Sequence, residues 1–123
     1  MPRILVVDDE PSALDFTSDF FSPRGYEVIE AATGKEGRRR LREDRPHLML
    51  LDIILPDIDG LEVLSQAKAI DPAVGVIMLT GVLDETIGDL ALQAGAFDYV
   101  TKPVDLKHLD RVVWYQLTNM TIG

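Results

Sequence analysis

Short apolar runs in this chain stop abruptly at polar or acidic residues, and each is followed by a longer segment whose apolar positions recur at helical spacing. Residues 4–7 form the first run and end at Asp8, Asp9 and Glu10. Pro11 then opens a segment in which Ala13, Leu14, Phe16, Thr17, Phe20 and Phe21 share one helical face, while Asp15, Ser18, Asp19 and Ser22 share the other. Pro23 and Gly25 stop that helix. Residues 26–31 predict a second strand. Thr33 and Glu36 follow at capping-box spacing, the hydroxyl accepting the Glu36 N–H and the carboxylate reaching back, which starts a helix running to about residue 45.

Residues 48–51 are apolar without interruption, as a central parallel strand covered on both faces should be, and Asp52 stands at their end. Beyond the Pro-Asp-Ile-Asp-Gly loop come a helix over 61–70, an Asp71-Pro72 turn, and a fourth strand over 74–79 that closes in Thr80 and Gly81. The next helix, 84–94, carries a stripe of Ile87, Leu90, Ala91 and Ala94, with Leu92 off the stripe and Gly95 as its stop. A short strand over 97–100 ends in Thr101, Lys102 and Pro103. Asp105 then caps a last helix striped by Leu106, Leu109, Val113, Leu117 and Met120.

Five strands alternating with five helices predict an α/β fold: one doubly wound five-stranded parallel sheet in a three-layer sandwich, joined by right-handed crossovers. Order 2-1-3-4-5 is a principal option, and it puts the topological switch between strands 1 and 3 at their carboxyl ends. Asp8, Asp9 and Asp52 would converge there.

The 123 residues, 46% of them hydrophobic, suit one domain over 1–123 with a real core. Twelve Lys and Arg stand against 21 Asp and Glu, and the formal charge of −9 disfavours nonspecific attraction to nucleic acid or anionic lipid. The absence of cysteine excludes disulfides, thiol catalysis and cysteine-ligated metals. No apolar run reaches the roughly 18 residues of a membrane span, so the expectation is a soluble cytoplasmic protein. The arginines at 38, 39, 40 and 42 lie among Glu36, Glu43 and Asp44 and are expected to form a solvated face; His47 and His108 are expected on the surface.

Three carboxylates held together repel one another, so the cluster should hold a proton or bind a cation. Mg²⁺ suits it, because hard oxygens are present without competing thiol or imidazole. Thr80 and Lys102, ending strands 4 and 5 on the same edge, add a hydroxyl and an ammonium, the groups that surround phosphoryl oxygens. Asp52 is then placed as a possible acceptor, since a carboxylate forms an acyl phosphate once incoming charge is neutralised. Each residue also has an ordinary explanation: Asp8 and Asp9 as helix caps, Asp52 as a turn residue, Thr80 as a strand-end hydroxyl, Lys102 as a surface cation and Tyr99 as packing. Their joint placement on one edge favours a site.

Ile-Leu-Val-Val-Asp8-Asp9-Glu, Leu-Leu-Asp52-Ile-Ile-Leu-Pro-Asp-Ile-Asp-Gly, Val-Ile-Met-Leu-Thr80-Gly and Ala-Gly-Ala-Phe-Asp-Tyr99-Val-Thr-Lys102-Pro together resemble the receiver domain of response regulators in two-component signalling, across essentially the whole chain. The resemblance implies that Asp52 is the phosphoacceptor, supplied by a phosphohistidine on a sensor histidine kinase or phosphotransfer protein. Asp8, Asp9, Asp52 and the backbone carbonyl of Ile54 would hold Mg²⁺, and Lys102 would contact the phosphoryl group. The Lys102-Pro103 bond would be cis. Thr80 and Tyr99 would form the switch, read out on the surface of the fourth helix, fifth strand and fifth helix by an effector, an output domain or a second copy of the chain. Leu92, Trp114 and Tyr115, off the predicted stripes, are candidates for that surface.

Three alternatives remain at this point. A phosphohydrolase resembling the haloacid dehalogenases would need a second acid two residues after the acceptor, where Ile54 stands. An interaction module that works without phosphorylation would not need the full set of site residues. A flavodoxin-like nucleotide binder would need a Gly-rich phosphate loop, which is missing. Ile54 and Val82 are apolar where both should border the phosphoryl group, which suggests restricted water access and slow self-dephosphorylation.

Overall fold

The computed structural model describes residues 1–81 and 85–120. Strands β1 (Arg3–Val7), β2 (Glu27–Ala31), β3 (Leu48–Asp52), β4 (Gly75–Thr80) and β5 (Asp98–Thr101) alternate with helices α1 (Pro11–Phe21), α2 (Gly34–Asp44), α3 (Gly60–Ile70), α4 (Glu85–Gln93) and α5 (Leu106–Met120). They form one parallel sheet in the order β2-β1-β3-β4-β5. A 3-10 turn over Ser22–Arg24 follows α1 and ends at Gly25, whose φ of 91° only glycine adopts cheaply.

Two-residue periodicity divides the core. Ile4, Val6, Leu48, Leu50, Ile77, Leu79 and Val100 face α1 and α5, where Leu14, Phe21, Leu109, Val112 and Val113 meet them. Leu5, Val7, Met49, Leu51, Val76 and Met78 face the other way, against Leu41 of α2, Val63, Leu64 and Ala67 of α3, and Ala91 of α4. Every residue of β3 and β4 is buried. Burying each large apolar side chain contributes about 1.5–3 kcal/mol, so the two central strands anchor the sheet edge that carries the acids.

Three helix faces differ from the periodic expectation. Phe16 and Leu90 are exposed, and Val112, off the predicted stripe, is buried. Each helix meets the sheet along a narrow arc: in α1 that arc is Leu14, Thr17 and Phe21, which leaves Phe16 on the flank. Ala91 is the fully buried apolar contact of α4 with the core, and Leu90 lies beside it on the outer side.

The caps follow the sequence with one exception. Thr33 Oγ1 accepts the Glu36 N–H at 3.0 Å, Asp59 accepts from Leu61 at 2.8 Å, and Asp105 accepts from Lys107 at 3.0 Å. Glu36 does not complete the capping box; its carboxylate pairs with Arg39 and Arg40 instead. Those contacts, with Arg39–Glu43 at 2.9 Å and Arg40–Asp44 at 3.1 Å, pair two of the arginines with neighbouring acids on the helix surface. Arg39 hydrogen bonding is the main reason the Glu36 carboxyl sits below its ordinary range.

Candidate functional site

The chemistry-bearing residues lie at the carboxyl ends of β1, β3, β4 and β5. Asp8, one residue past β1, is only 1% exposed. Its backbone N–H donates to Ala31 at 3.0 Å, and its Oδ1 accepts the Glu10 N–H at 3.0 Å, so both chain and side chain are fixed. Asp52, the last residue of β3, is 7% exposed and accepts the Ile54 N–H through Oδ1 at 3.2 Å. Asp9 is exposed beside them. One carboxylate oxygen from each of Asp8, Asp9 and Asp52 lies within 4.8 Å of the others.

Lys102 connects the acids. The register Thr80↔Thr101 brings the end of β5 alongside β4, and the Lys102 N–H donates to the Thr80 carbonyl at 2.7 Å. Its ammonium then donates to Asp8 Oδ2 and Asp52 Oδ2, both at 2.9 Å. Burial alone would lower the pKa of Lys102, but the bonds and charges of Asp52 and Asp8 outweigh it and hold the group above its ordinary value. Lys102 is therefore cationic at neutral pH. Three carboxyl groups gathered around one ammonium give the site an excess of acidic oxygens, the kind of donor set a divalent cation favours.

Thr80 is buried at the end of β4, and the peptide between Lys102 and Pro103 is cis. Tyr99 lies outside the acid cluster. It pairs with Met78, one alternation before the Thr80↔Thr101 pair, and its half-buried ring covers Gly88 of α4. A Cβ at Gly88 would stand 2.7 Å from two ring carbons, so the ring occupies space that any other residue would fill.

The loop from β3 to α3 turns back on its own strand. The Gly60 N–H donates to the Ile53 carbonyl at 2.8 Å, and a Cβ at Gly60 would lie 2.5 Å from the Asp52 carbonyl oxygen and from Ile53 Cα. Ile54 presents its backbone to Asp52 while its side chain is 65% exposed. Ile54 is therefore among the exposed large apolar residues next to the acceptor strand. Val82 and Asp84 lie outside the described residues.

Phe16, which helical periodicity assigns to the apolar face of α1, stands instead at the lining of a cavity. That cavity, of about 450 Å³, opens beside the cluster, lined among others by Asp8, Phe16, Thr17, Leu79, Lys102 and Val104. On α4 and α5, Leu92, Trp114 and Tyr115 are exposed, and Tyr115 packs a ring centroid 6.0 Å from that of Phe97.

Residues 4–113 match the response regulator receiver domain family. The chain is 37% identical over 110 residues to the transcriptional regulatory protein AfsQ1 of Streptomyces coelicolor, covering 89% of this chain and 48% of that protein. It is 42% identical over 103 residues to the transcriptional regulatory protein KdpE of Mycobacterium tuberculosis, covering 84% of this chain and 45% of the relative. The chain thus spans about half the length of these curated relatives. A CheY-like response regulator receiver domain protein from Methanospirillum hungatei superposes with a TM-score of 0.95 at 36% identity, covering 98% of this chain and 97% of that one.

Proposed function

This chain belongs to the response regulator receiver domain family, and on that premise we propose that it accepts a phosphoryl group on Asp52 in a Mg²⁺-dependent reaction. The donor is a phosphohistidine of a sensor histidine kinase or phosphotransfer protein. The supporting observation is the Lys102 ammonium, held 2.9 Å from both a buried Asp8 and a buried Asp52 at the switch edge of the sheet.

An Asp52 carboxylate oxygen attacks phosphorus, forming the P–O bond of an acyl phosphate while the P–N bond breaks and its electron pair returns to the imidazole. Lys102 faces that oxygen from within hydrogen-bond reach and balances the charge gained. Thr80, buried on the neighbouring strand end, supplies a hydroxyl on the same edge. Asp8 and Asp9, with Asp52 and the Ile54 carbonyl, would hold Mg²⁺; the hard-oxygen donor set and its excess of acidic oxygens fit that ion. When bound, the ion supplies further neutralisation of the phosphoryl oxygens. The chemistry is confined to phosphorylation and dephosphorylation of the chain itself: Ile54 stands where a phosphohydrolase of the haloacid dehalogenase type needs its acid.

The added dianion favours a conformation in which Thr80 and Tyr99 are repositioned, and the α4-β5-α5 surface carries the difference to an effector, an output domain or a second copy of the chain. Residues 1–123 act as a single receiver domain in the cytoplasm. Among the described residues no helix is long and apolar enough to cross a membrane. Incubation with acetyl phosphate or phosphoramidate and Mg²⁺, followed by intact mass, tests the proposal. A phosphate-sized gain is expected, lost in Asp52→Asn and on chelation; no gain in the wild type refutes it and leaves an interaction module that works without phosphorylation.

A further inference from the structure

The loop between β3 and α3 has a second anchor that the phosphoryl chemistry does not use. Asp57, three residues beyond Ile54, reaches across to the first turn of α2. Its Oδ1 accepts the Gly34 N–H at 2.8 Å and its Oδ2 accepts the Lys35 N–H at 3.0 Å. Two of the unsatisfied amides at the start of α2 are therefore filled by a residue of another loop, at the end of the helix where an anion is favoured.

Gly34 makes the approach possible. A Cβ there would stand 2.9 Å from Val63 Cγ2 and 3.3 Å from Asp57 Oδ1 and Ile58 Cβ, so α2, the loop and α3 meet at that point. Desolvation pushes the Asp57 carboxyl up, but the amides of Lys35 and Gly34, with those of its own residue and Ile58, outweigh it and hold the carboxyl below its ordinary value. The local cap of α2 is independent of this bridge, because Thr33 serves the Glu36 N–H.

We propose that Asp57 is a positioning residue for the metal site: by clamping the loop onto the start of α2, it fixes the turn at Ile54, whose N–H donates to Asp52 and whose carbonyl is the fourth proposed ligand. The loop is then held at both ends, by Gly60 folding back on Ile53 and by Asp57 on α2. Release of the second anchor lets Ile54 drift, and the preorganised donor set loses affinity, as it does when supporting partners around metal ligands are removed. The inference rests on the Mg²⁺-binding reading given above.

The test is Mg²⁺ titration of the whole chain by calorimetry, with amide NMR of Gly34 and Lys35, in the wild type, Asp57→Ala and Thr33→Ala. Both substitutions remove an α2 cap and lower thermal stability; only Asp57→Ala also unties the loop. The expected result is an affinity for Mg²⁺ weaker by about tenfold in Asp57→Ala, near-wild-type affinity in Thr33→Ala, and shifts of the Gly34 and Lys35 amides on metal binding in the wild type. Equal affinity in Asp57→Ala and wild type overturns the inference while leaving the metal reading intact. Absence of Mg²⁺ binding in the wild type overturns the metal reading and the inference with it.

Discussion

Replacing Lys102 by Met keeps the aliphatic stem and removes the ammonium, leaving Asp8 and Asp52 without the donor that each now has at 2.9 Å. Taking one partner from a buried ion pair costs about 3–5 kcal/mol, because the remaining charge is desolvated and uncompensated. Here the Lys102 side chain is 25% exposed and Asp9 opens the cluster to water, so solvent screening reduces the cost below that range, to roughly 2–3 kcal/mol. For 123 residues the unfolding entropy is about 0.26 kcal/mol/K, and the loss corresponds to a fall of roughly 8–12 °C in Tm. The assay is thermal unfolding by circular dichroism near neutral pH, in chelator and in millimolar Mg²⁺. Mg²⁺ should return much of the loss, since the cation replaces the missing positive charge. Asp52→Asn in the Lys102→Met background should also recover part of it by removing one of the stranded acids, a coupling that a double-mutant cycle isolates. A fall below 1 °C, or an equal fall with and without Mg²⁺, would show that the ammonium does not balance these acids.

Wild-type stability should decline in strong alkali: a folded-state pKa raised above the ordinary lysine value contributes stability that is complete below that value and is lost as pH rises through the folded one. Urea unfolding in Lys102→Met should lack that alkaline component. Gly60→Ala places a Cβ 2.5–2.6 Å from backbone atoms of Asp52 and Ile53, and should cost about 2–3 kcal/mol in urea together with phosphorylation by acetyl phosphate; a neutral result would mean the loop does not close as described. Gly88→Ala gains about 1 kcal/mol of helix propensity but drives a methyl into the Tyr99 ring, so stability should change little while the fluorine signal of 3-fluorotyrosine at position 99 shifts; an unmoved signal refutes the contact.

Asp8, Asp52 and Lys102 were legible in the sequence because an apolar run ending in a charge marks where a buried strand meets the switch edge, and alternation fixes which edge that is. The strand order 2-1-3-4-5, a principal option among doubly wound sheets rather than a consequence of alternation, is the one the sheet adopts. Phe16 and Leu90 were misplaced because helical periodicity identifies an apolar face but not how much of its width the sheet covers. Glu36 left its predicted partner because Arg39 and Arg40, one turn on, offer a charged donor that the Thr33 amide cannot match. The Asp57 bridge to Gly34 and the Gly88 slot join residues 23 and 11 positions apart through tertiary contact, and no local pattern encodes either.

The ion pairs of Lys102 span 94 and 50 positions of chain. During synthesis both acids leave the ribosome long before their counter-charge, and the neutralising cation arrives only with the last strand. Any intermediate that has docked β1 beside β3 without β5 must carry the acids uncompensated, exposed to water or to whatever divalent ions the surroundings offer. Closure of this edge is thereby tied to completion of the sheet, and the final strand joins under an electrostatic pull as well as an apolar one.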